Sequence, residues 1–265
     1  MNSEHRRKIF FFHNPKAAGS SVGHFLGRCS QVHDTSPVIE NSQRDHERLN
    51  GRYAPFRSYQ FYSGHYGYDI FSAVNDGHFA VTNLRDPAAR LLSLYNYFRF
   101  QVVVPHDPAQ HDDFYPVCFA KSVDFDTFVS TSDPRIEVHT RNHHVRQLTN
   151  SGWAVGSEGD LDHATALLDG MPWYYVCEYP KPSVSWAQMV FGTNAGGIHR
   201  LNVTSAERAV TTITPKTLRT IRNKNALDIA LHAHAVRRLL QMNGLNEGGG
   251  RGRQVVDRLG AVLAG

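Results

Sequence analysis

The sequence predicts an α/β fold with a central, mainly parallel sheet flanked by helices. Three observations carry that reading. Short apolar runs occur at 8–13 (KIFFFH), 79–84 (FAVTNL) and 173–177 (WYYVC). They suit strands of a parallel sheet, covered on both faces. Segments with helical spacing separate them, and strands alternating with helices favour a parallel sheet. The chain has 265 residues, 41% of them hydrophobic and 11% aromatic, so it can bury a sizeable core without disulfides or metals.

The elements follow in order. After the first strand, residues 14–20 form a turn with Pro15, Gly19 and two alanines, and a helix over 21–28 places Val22, Phe25 and Leu26 on one face. Residues 30–58 are polar and give no assignment. Residues 61–68 (FYSGHYGY) read as a strand end entering a Gly-rich turn. The strand at 79–84 leads into Asp86, a good N-cap, and Pro87 at the first helical position. The helix behind it, 88–100, carries Leu91, Leu94, Tyr95 and Phe98 on one stripe, and the aromatics Tyr95, Tyr97 and Phe98 read as core. Residues 101–120 read as a loop. Helices are expected at 124–130, 134–148, 160–168, 180–191 and 215–240, with a strand at 173–177. A Gly-rich stretch (GGGRGR) then marks a linker. The expected organisation is one domain over 1–245, then a linker and a loosely docked tail over 246–265. There is no internal repeat.

Charge and cysteine usage narrow the class. Lys+Arg of 28 against Asp+Glu of 24 gives +4, short of the basic stripe of a dedicated nucleic-acid binder but compatible with a small anionic ligand. Cys29, Cys118 and Cys177 form no CxxC pair, so a reducing cytoplasm is the simplest compartment. The chain shows no signal peptide and no apolar run long enough to span a bilayer. A glycosylation-type triplet at Asn202-Val203-Thr204 has no meaning in that compartment.

Two segments carry anion chemistry. Residues 13–21 (HNPKAAGSS) lie between a strand and a helix. Small residues allow close backbone approach, and the amides of Ala18, Gly19, Ser20 and Ser21 stand where a helix offers N–H groups and a partial positive charge. Lys16 adds a full charge, and Ser20 and Ser21 add hydroxyls. The order is not that of a Walker A loop, because the lysine precedes the glycine. An ordinary turn with a solvated lysine would look similar. Residues 84–93 (LRDPAARLLS) repeat the arrangement at the next strand. Arg85 presents a fork of donors suited to phosphate, and Ser93 lies about two turns along the helix. Pairing of Arg85 with Asp86 and packing of Ser93 is the plainer alternative. Two such junctions in one sheet suggest a ligand with two separated anionic groups beyond the carboxyl ends of the strands.

The pair of motifs resembles a known family. FFHNPKAAGSS resembles the 5′-phosphosulfate loop of sulfotransferases, and NLRDPAARLLSLYNYFR resembles their 3′-phosphate motif. SGHYGYD resembles the segment that holds their catalytic histidine; NHHVRQL and NALDIALHAHA resemble a middle segment and a C-terminal helix. The resemblance spans about residues 8–240. It looks nearest to carbohydrate sulfotransferases of the heparan sulfate 2-O type and their soluble bacterial relatives. It implies a P-loop-like three-layer sulfotransferase fold. It implies 3′-phosphoadenosine-5′-phosphosulfate (PAPS) as donor, 3′-phosphoadenosine-5′-phosphate (PAP) as product, and no metal. It implies that Lys16, Ala18, Gly19, Ser20 and Ser21 hold the 5′ end and that Arg85 and Ser93 hold the 3′-phosphate. Lys16 and His65 are then catalytic, His65 as the base that takes a proton from an acceptor hydroxyl of a carbohydrate or other small alcohol. Neither nucleic acid nor a membrane span is expected among the partners. The sequence departs from the family at Ala17 and Ser20, where threonines are usual, and at His232, where tyrosine is commoner.

Sixteen histidines ask for an account. His65 stands out by lying between the anion motifs; the other fifteen read as ordinary surface or core residues. His143 and His144 diverge on a helix, as do His232 and His234, and none has the spacing of a helical metal site. Arg141, Arg146 and Arg208 are open between ligand contact and a solvated face. Two other functions compete: an ATP-dependent phosphotransferase, disfavoured by the missing Walker A loop, and a non-catalytic nucleotide-binding module.

Overall fold

The computed structural model describes residues 8–30, 35, 59–105, 114–149, 156–192, 198 and 209–245. The triplet at 202–204, Arg208, His106, His111, most of the 30–58 segment and the 246–265 tail lie outside them.

Four short strands build the sheet: β1 (Ile9–Phe12), β2 (Phe61–Gly64), β3 (Phe79–Leu84) and β4 (Tyr174–Val176). Their order is β2-β1-β3-β4 and every pairing is parallel. All four residues of β1 are fully buried, as expected where helices cover both faces. Phe10 stacks on Tyr62 at 5.3 Å and meets Phe71 edge-on at 5.0 Å. The chain leaves β1 towards β2 on one side and crosses to β3 on the other. Connections therefore diverge at the carboxyl ends of β1 and β3, the switch point where open α/β sheets bind ligands.

The helices are α1 (Gly19–Ser30), α2 (Tyr68–Val74), α3 (Pro87–Phe100), α4 (Tyr115–Ser122), α5 (Phe125–Ser130) and α6 (Pro134–Thr140). They continue as α7 (His143–Gln147), α8 (Glu158–Gly170), α9 (Pro180–Phe191), α10 (Pro215–Lys224) and α11 (Ala226–Met242). Asp86 caps α3 by accepting from the Ala89 amide at 2.9 Å, with Pro87 in the first turn. One core surrounds the sheet. A second lies on the other side of α3, where Leu91, Leu94 and Tyr95 meet Phe125, Phe128, Ile136 and Ile221. Among the described residues no helix is long and apolar enough to cross a membrane.

Several sequence expectations change. The segment 101–120 contains α4, whose Pro116 sits in the first turn, where it costs no hydrogen bond. The turn expected up to residue 68 gives way there to α2. The helix expected over 134–148 is two helices, broken where Asn142 adopts the left-handed region at φ 45°, ψ 45°. The helix expected over 215–240 breaks at Asn225 and ends at Met242. Tyr95 is buried and Phe98 packs against the second core, but Tyr97 is 37% exposed.

Both breaks serve one lock. Asn225 Oδ1 accepts from the Asn142 amide at 2.9 Å. Asp228 accepts from the amides of His144 at 3.1 Å and Val145 at 2.9 Å. The segments NHHVRQL and NALDIALHAHA, weak as isolated motifs, thus grip each other. Asp228 is wholly buried; burial raises its carboxyl pKa, while Arg90 and the two amides oppose that rise. Replacing Asp228 by Asn leaves one amide facing a donor and Arg90 without its counter-charge. The expected cost is about 3 kcal/mol, read as a lowered urea midpoint with an unchanged slope.

Candidate anion and proton-transfer site

The loop after β1 is held in an unusual shape. Lys16 has φ 64° and Ala18 φ 63°, the left-handed region, although neither is glycine. Each costs about 1–2 kcal/mol relative to an ordinary conformation. Ala17 between them does not share it, and such alternation turns successive amides toward one point, as in backbone nests that bind anions. Asn83 on β3 compensates. Its Oδ1 accepts from the Asn14 amide at 2.7 Å, and its Nδ2 donates to the carbonyls of Asn14 at 2.9 Å and Ala17 at 2.6 Å. The helical ladder opens with Val22 N–H donating to Ala18 at 3.0 Å, so the amides of Gly19, Ser20 and Ser21 precede it. Ser20 is exposed and Ser21 buried. Gly19 has a packing reason as well: a Cβ there would lie 1.9 Å from the His13 ring.

The two anion motifs meet. Arg85 does not pair with Asp86; its Nη1 donates to the Lys16 carbonyl at 3.0 Å. Lys16 is half-buried, and burial first, then the Arg85 guanidinium, lowers its ammonium pKa. The ammonium rests 3.9 Å from the centroid of the Tyr97 ring. Ser93 is half-buried on α3, one helical turn before Tyr97 and on the same face.

His65 follows β2 and lies beside the loop. Its ring meets that of His13 at 4.7 Å, edge to face, and His13 stacks on Phe11 at 5.4 Å. Gln147 from α7 ties both together by donating to the carbonyls of His13 at 3.2 Å and Tyr66 at 2.9 Å. Burial lowers His65 to about 4. Burial, then His65 and Lys16, lowers His13 to about 3. His139 falls to about 4 through burial, then through Arg90, Arg146 and His65. All three are neutral at neutral pH. Fifteen histidines read as ordinary therefore include two, His13 and His139, that share the surroundings of His65.

Behind this group lies Arg90, fully buried, donating to the His139 carbonyl at 2.8 Å. Its spacing from Pro87 and Leu94 puts it on the core face of α3, the signal by which the sequence could have singled it out. Arg146 donates to the carbonyls of Glu137 and Arg141 at 3.0 and 3.3 Å, and Arg141 pairs with Glu137 at 3.6 Å. His232 bonds Glu178 at 3.0 Å, and Glu178 accepts from the Asp86 amide at 3.0 Å. Burial pushes the Glu178 carboxyl up, but His232 and the Asp86 amide outweigh it and the net shift is downward. A carboxylate only accepts, so His232 Nε2 donates in this pair.

Every expected site residue is thus within the described structure. Lys16, Ala18, Gly19, Ser20, Ser21 and Arg85 lie at the carboxyl ends of β1 and β3, His65 joins them through His13, and Ser93 lies further along α3, one turn before Tyr97. Among the described residues no group of three or more His, Cys, Asp or Glu side chains is placed to hold a metal ion. A cavity of about 500 Å³ lined by Lys8, Tyr59, Asp76 and His78 opens instead at the amino ends of the strands, away from the convergent donors. No protein-family model matches the chain, and no curated protein matches it in sequence.

Burial of the histidines sets a pH dependence. Each takes a proton near pH 6.5 when unfolded, whereas the native fold withholds it until about 4 at His65 and His139. Between those values the unfolded state binds more protons, so stability falls as pH drops from about 6.5 to about 4. One such histidine is worth about 3 kcal/mol at the low end. Urea midpoints from pH 7 to pH 4 should fall less steeply for His139→Gln than for the parent chain; parallel curves would show that His139 is not kept neutral.

Proposed function

We propose that the chain is a sulfotransferase of P-loop-like architecture that moves a sulfuryl group from PAPS to an acceptor hydroxyl. One observation carries the reading: Lys16, Arg85 and the His13–His65 pair converge at the switch point of a parallel sheet. The first two supply cationic groups for a doubly phosphorylated nucleotide, and the histidine supplies a base. The acceptor oxygen forms a bond to sulfur as the bond from sulfur to the bridging oxygen breaks, releasing PAP. The hydroxyl proton passes to His65. Charge growing on the bridging oxygen is stabilised by Lys16 in a half-buried setting, where a fixed cation acts more strongly than in water. The loop amides hold the 5′-phosphate, and Arg85 with Ser93 holds the 3′-phosphate. A carbohydrate or other small alcohol is the acceptor class this reading favours.

A neutral histidine is the correct starting state for a base. The low His65 value, about 4, means that the acid limb of kcat/KM should fall near pH 4 rather than near pH 6.5. A dianionic donor beside the ring would move the limb of kcat to higher pH.

Thermal shift separates this reading from its competitors. PAP should stabilise the protein by about 3 kcal/mol at a hundredfold excess over Kd, with AMP and ATP–Mg²⁺ well behind. Stabilisation by ATP–Mg²⁺ alone would favour phosphotransfer. Arg85→Ala should lose most of the PAP shift. His65→Ala should keep it while turnover with PAPS and an acceptor panel drops about 10²–10⁴-fold. Loss of PAP binding in His65→Ala would remove the base assignment.

A further inference from the structure

We propose that Tyr97 is the resting seat of Lys16, holding its ammonium until an anionic group reaches the loop and takes it over. The inference rests on the reading of the β1–α1 loop as an anion site. The backbone of Lys16 has no freedom: Asn83 fixes the carbonyl after it, and Arg85 holds its own carbonyl at 3.0 Å. What remains mobile is the four-carbon side chain. Its ammonium lies 3.9 Å from the Tyr97 ring centroid, well inside the range of a cation–π contact, about 6 Å.

Tyr97 is an aromatic whose position packing alone does not explain. It is 37% exposed near the end of a helix whose Leu91, Leu94, Tyr95 and Phe98 are buried or packed against the second core, while Phe100 beyond it is 41% exposed. It sits one turn beyond Ser93, on the face that looks toward the loop. Lys16 is half-buried beside Arg85, and both circumstances disfavour its charge. The electron-rich ring face offsets that cost without offering a competing full charge. A phosphate or sulfate oxygen is a stronger partner than a ring, so the contact yields when ligand arrives. The ring thereby keeps the lysine charged and close, and keeps it from a fixed ion pair that a ligand would have to break. Tyr97 is a positioning residue in this scheme, acting through Lys16.

The consequence for binding has a definite sign. A seat used only in the free protein competes with ligand, so removing it tightens anion binding by about two- to five-fold. A ring that touched the ligand would do the opposite.

The test uses reductive methylation of the lysines with isotope-labelled formaldehyde and NMR of the resulting dimethyl-ammonium groups. The Lys16 resonance is identified by its loss in Lys16→Arg. In the free protein it should be displaced upfield by the ring current, should remain so in Tyr97→Phe, and should return to the ordinary position in Tyr97→Leu. A Lys16 resonance at the ordinary position in the parent protein, or one indifferent to Tyr97→Leu, overturns the seat. Saturating PAP or pyrophosphate should move the parent resonance to a new position away from the ring shift. In matched titrations Tyr97→Leu should bind either probe two- to five-fold more tightly, with the thermal midpoint of the free variant confirming that it folds. Weaker binding by Tyr97→Leu makes Tyr97 a ligand contact and overturns the proposal. If neither probe binds, so that the upfield resonance never moves, the anion-site reading fails and the takeover with it, while the seat in the free protein stands.

Discussion

The carboxamide of Asn83 supports the site more than any other single group. It makes three hydrogen bonds to the loop after β1, accepting one and donating two. That loop carries two non-glycine residues in the left-handed region, a conformation a free peptide seldom adopts. A strand side chain with both donor and acceptor character can hold it; an apolar or purely accepting one cannot. From the fixed loop the rest follows. The Lys16 carbonyl points at Arg85, α1 starts at the carboxyl end of β1, and the ring of His13 is left lying over Gly19.

Hydrogen bonding and burial work together around this point. Gln147, Asp228 and Asn225 each give side-chain polar groups to backbone that would otherwise be buried without partners, a condition proteins rarely tolerate. They join the β1 loop, the turn after β2, and helices α7 and α11 into one continuous network. Dense burial in the same region has an electrostatic result. Histidines that would be half-charged near neutrality become fully neutral bases, while Arg90 stays cationic with its pKa lowered to about 10 by burial, against the pull of Asp228.

The parts of the fold visible in the sequence are those set by local pattern. β1 and β3 are apolar because both faces are covered, and Asp86-Pro87 is a capping signal that needs no tertiary context. The loop after β1 is marked in the sequence by Lys16 among small residues before a helix, but its left-handed turns are not, because no glycine marks them. The breaks at Asn142 and Asn225 were hidden for a related reason: helical spacing runs through both, and only the partner across the fold decides that each leaves the helix. The Pro116 that made α4 look like loop is harmless in a first turn. His13 and His139 could not be joined to His65 from spacing, since their meeting depends on strand order. Tyr97 reads as core in the sequence, but the helix turns it to a partly exposed face beneath Lys16 instead.

The strand order also governs when this site can exist. Asn83 lies 69 residues after Asn14, Gln147 lies 134 residues after His13, and Asp228 lies 84 residues after His144. During synthesis the loop leaves the ribosome long before the groups that shape it, and β4 joins the sheet only after residue 174 has emerged. Contacts of such wide sequence separation form late and slowly. An amino-terminal fragment ending before β3 would therefore carry the loop's residues without its shape, and that shape should appear in one step with the last long-range contacts rather than growing with the chain.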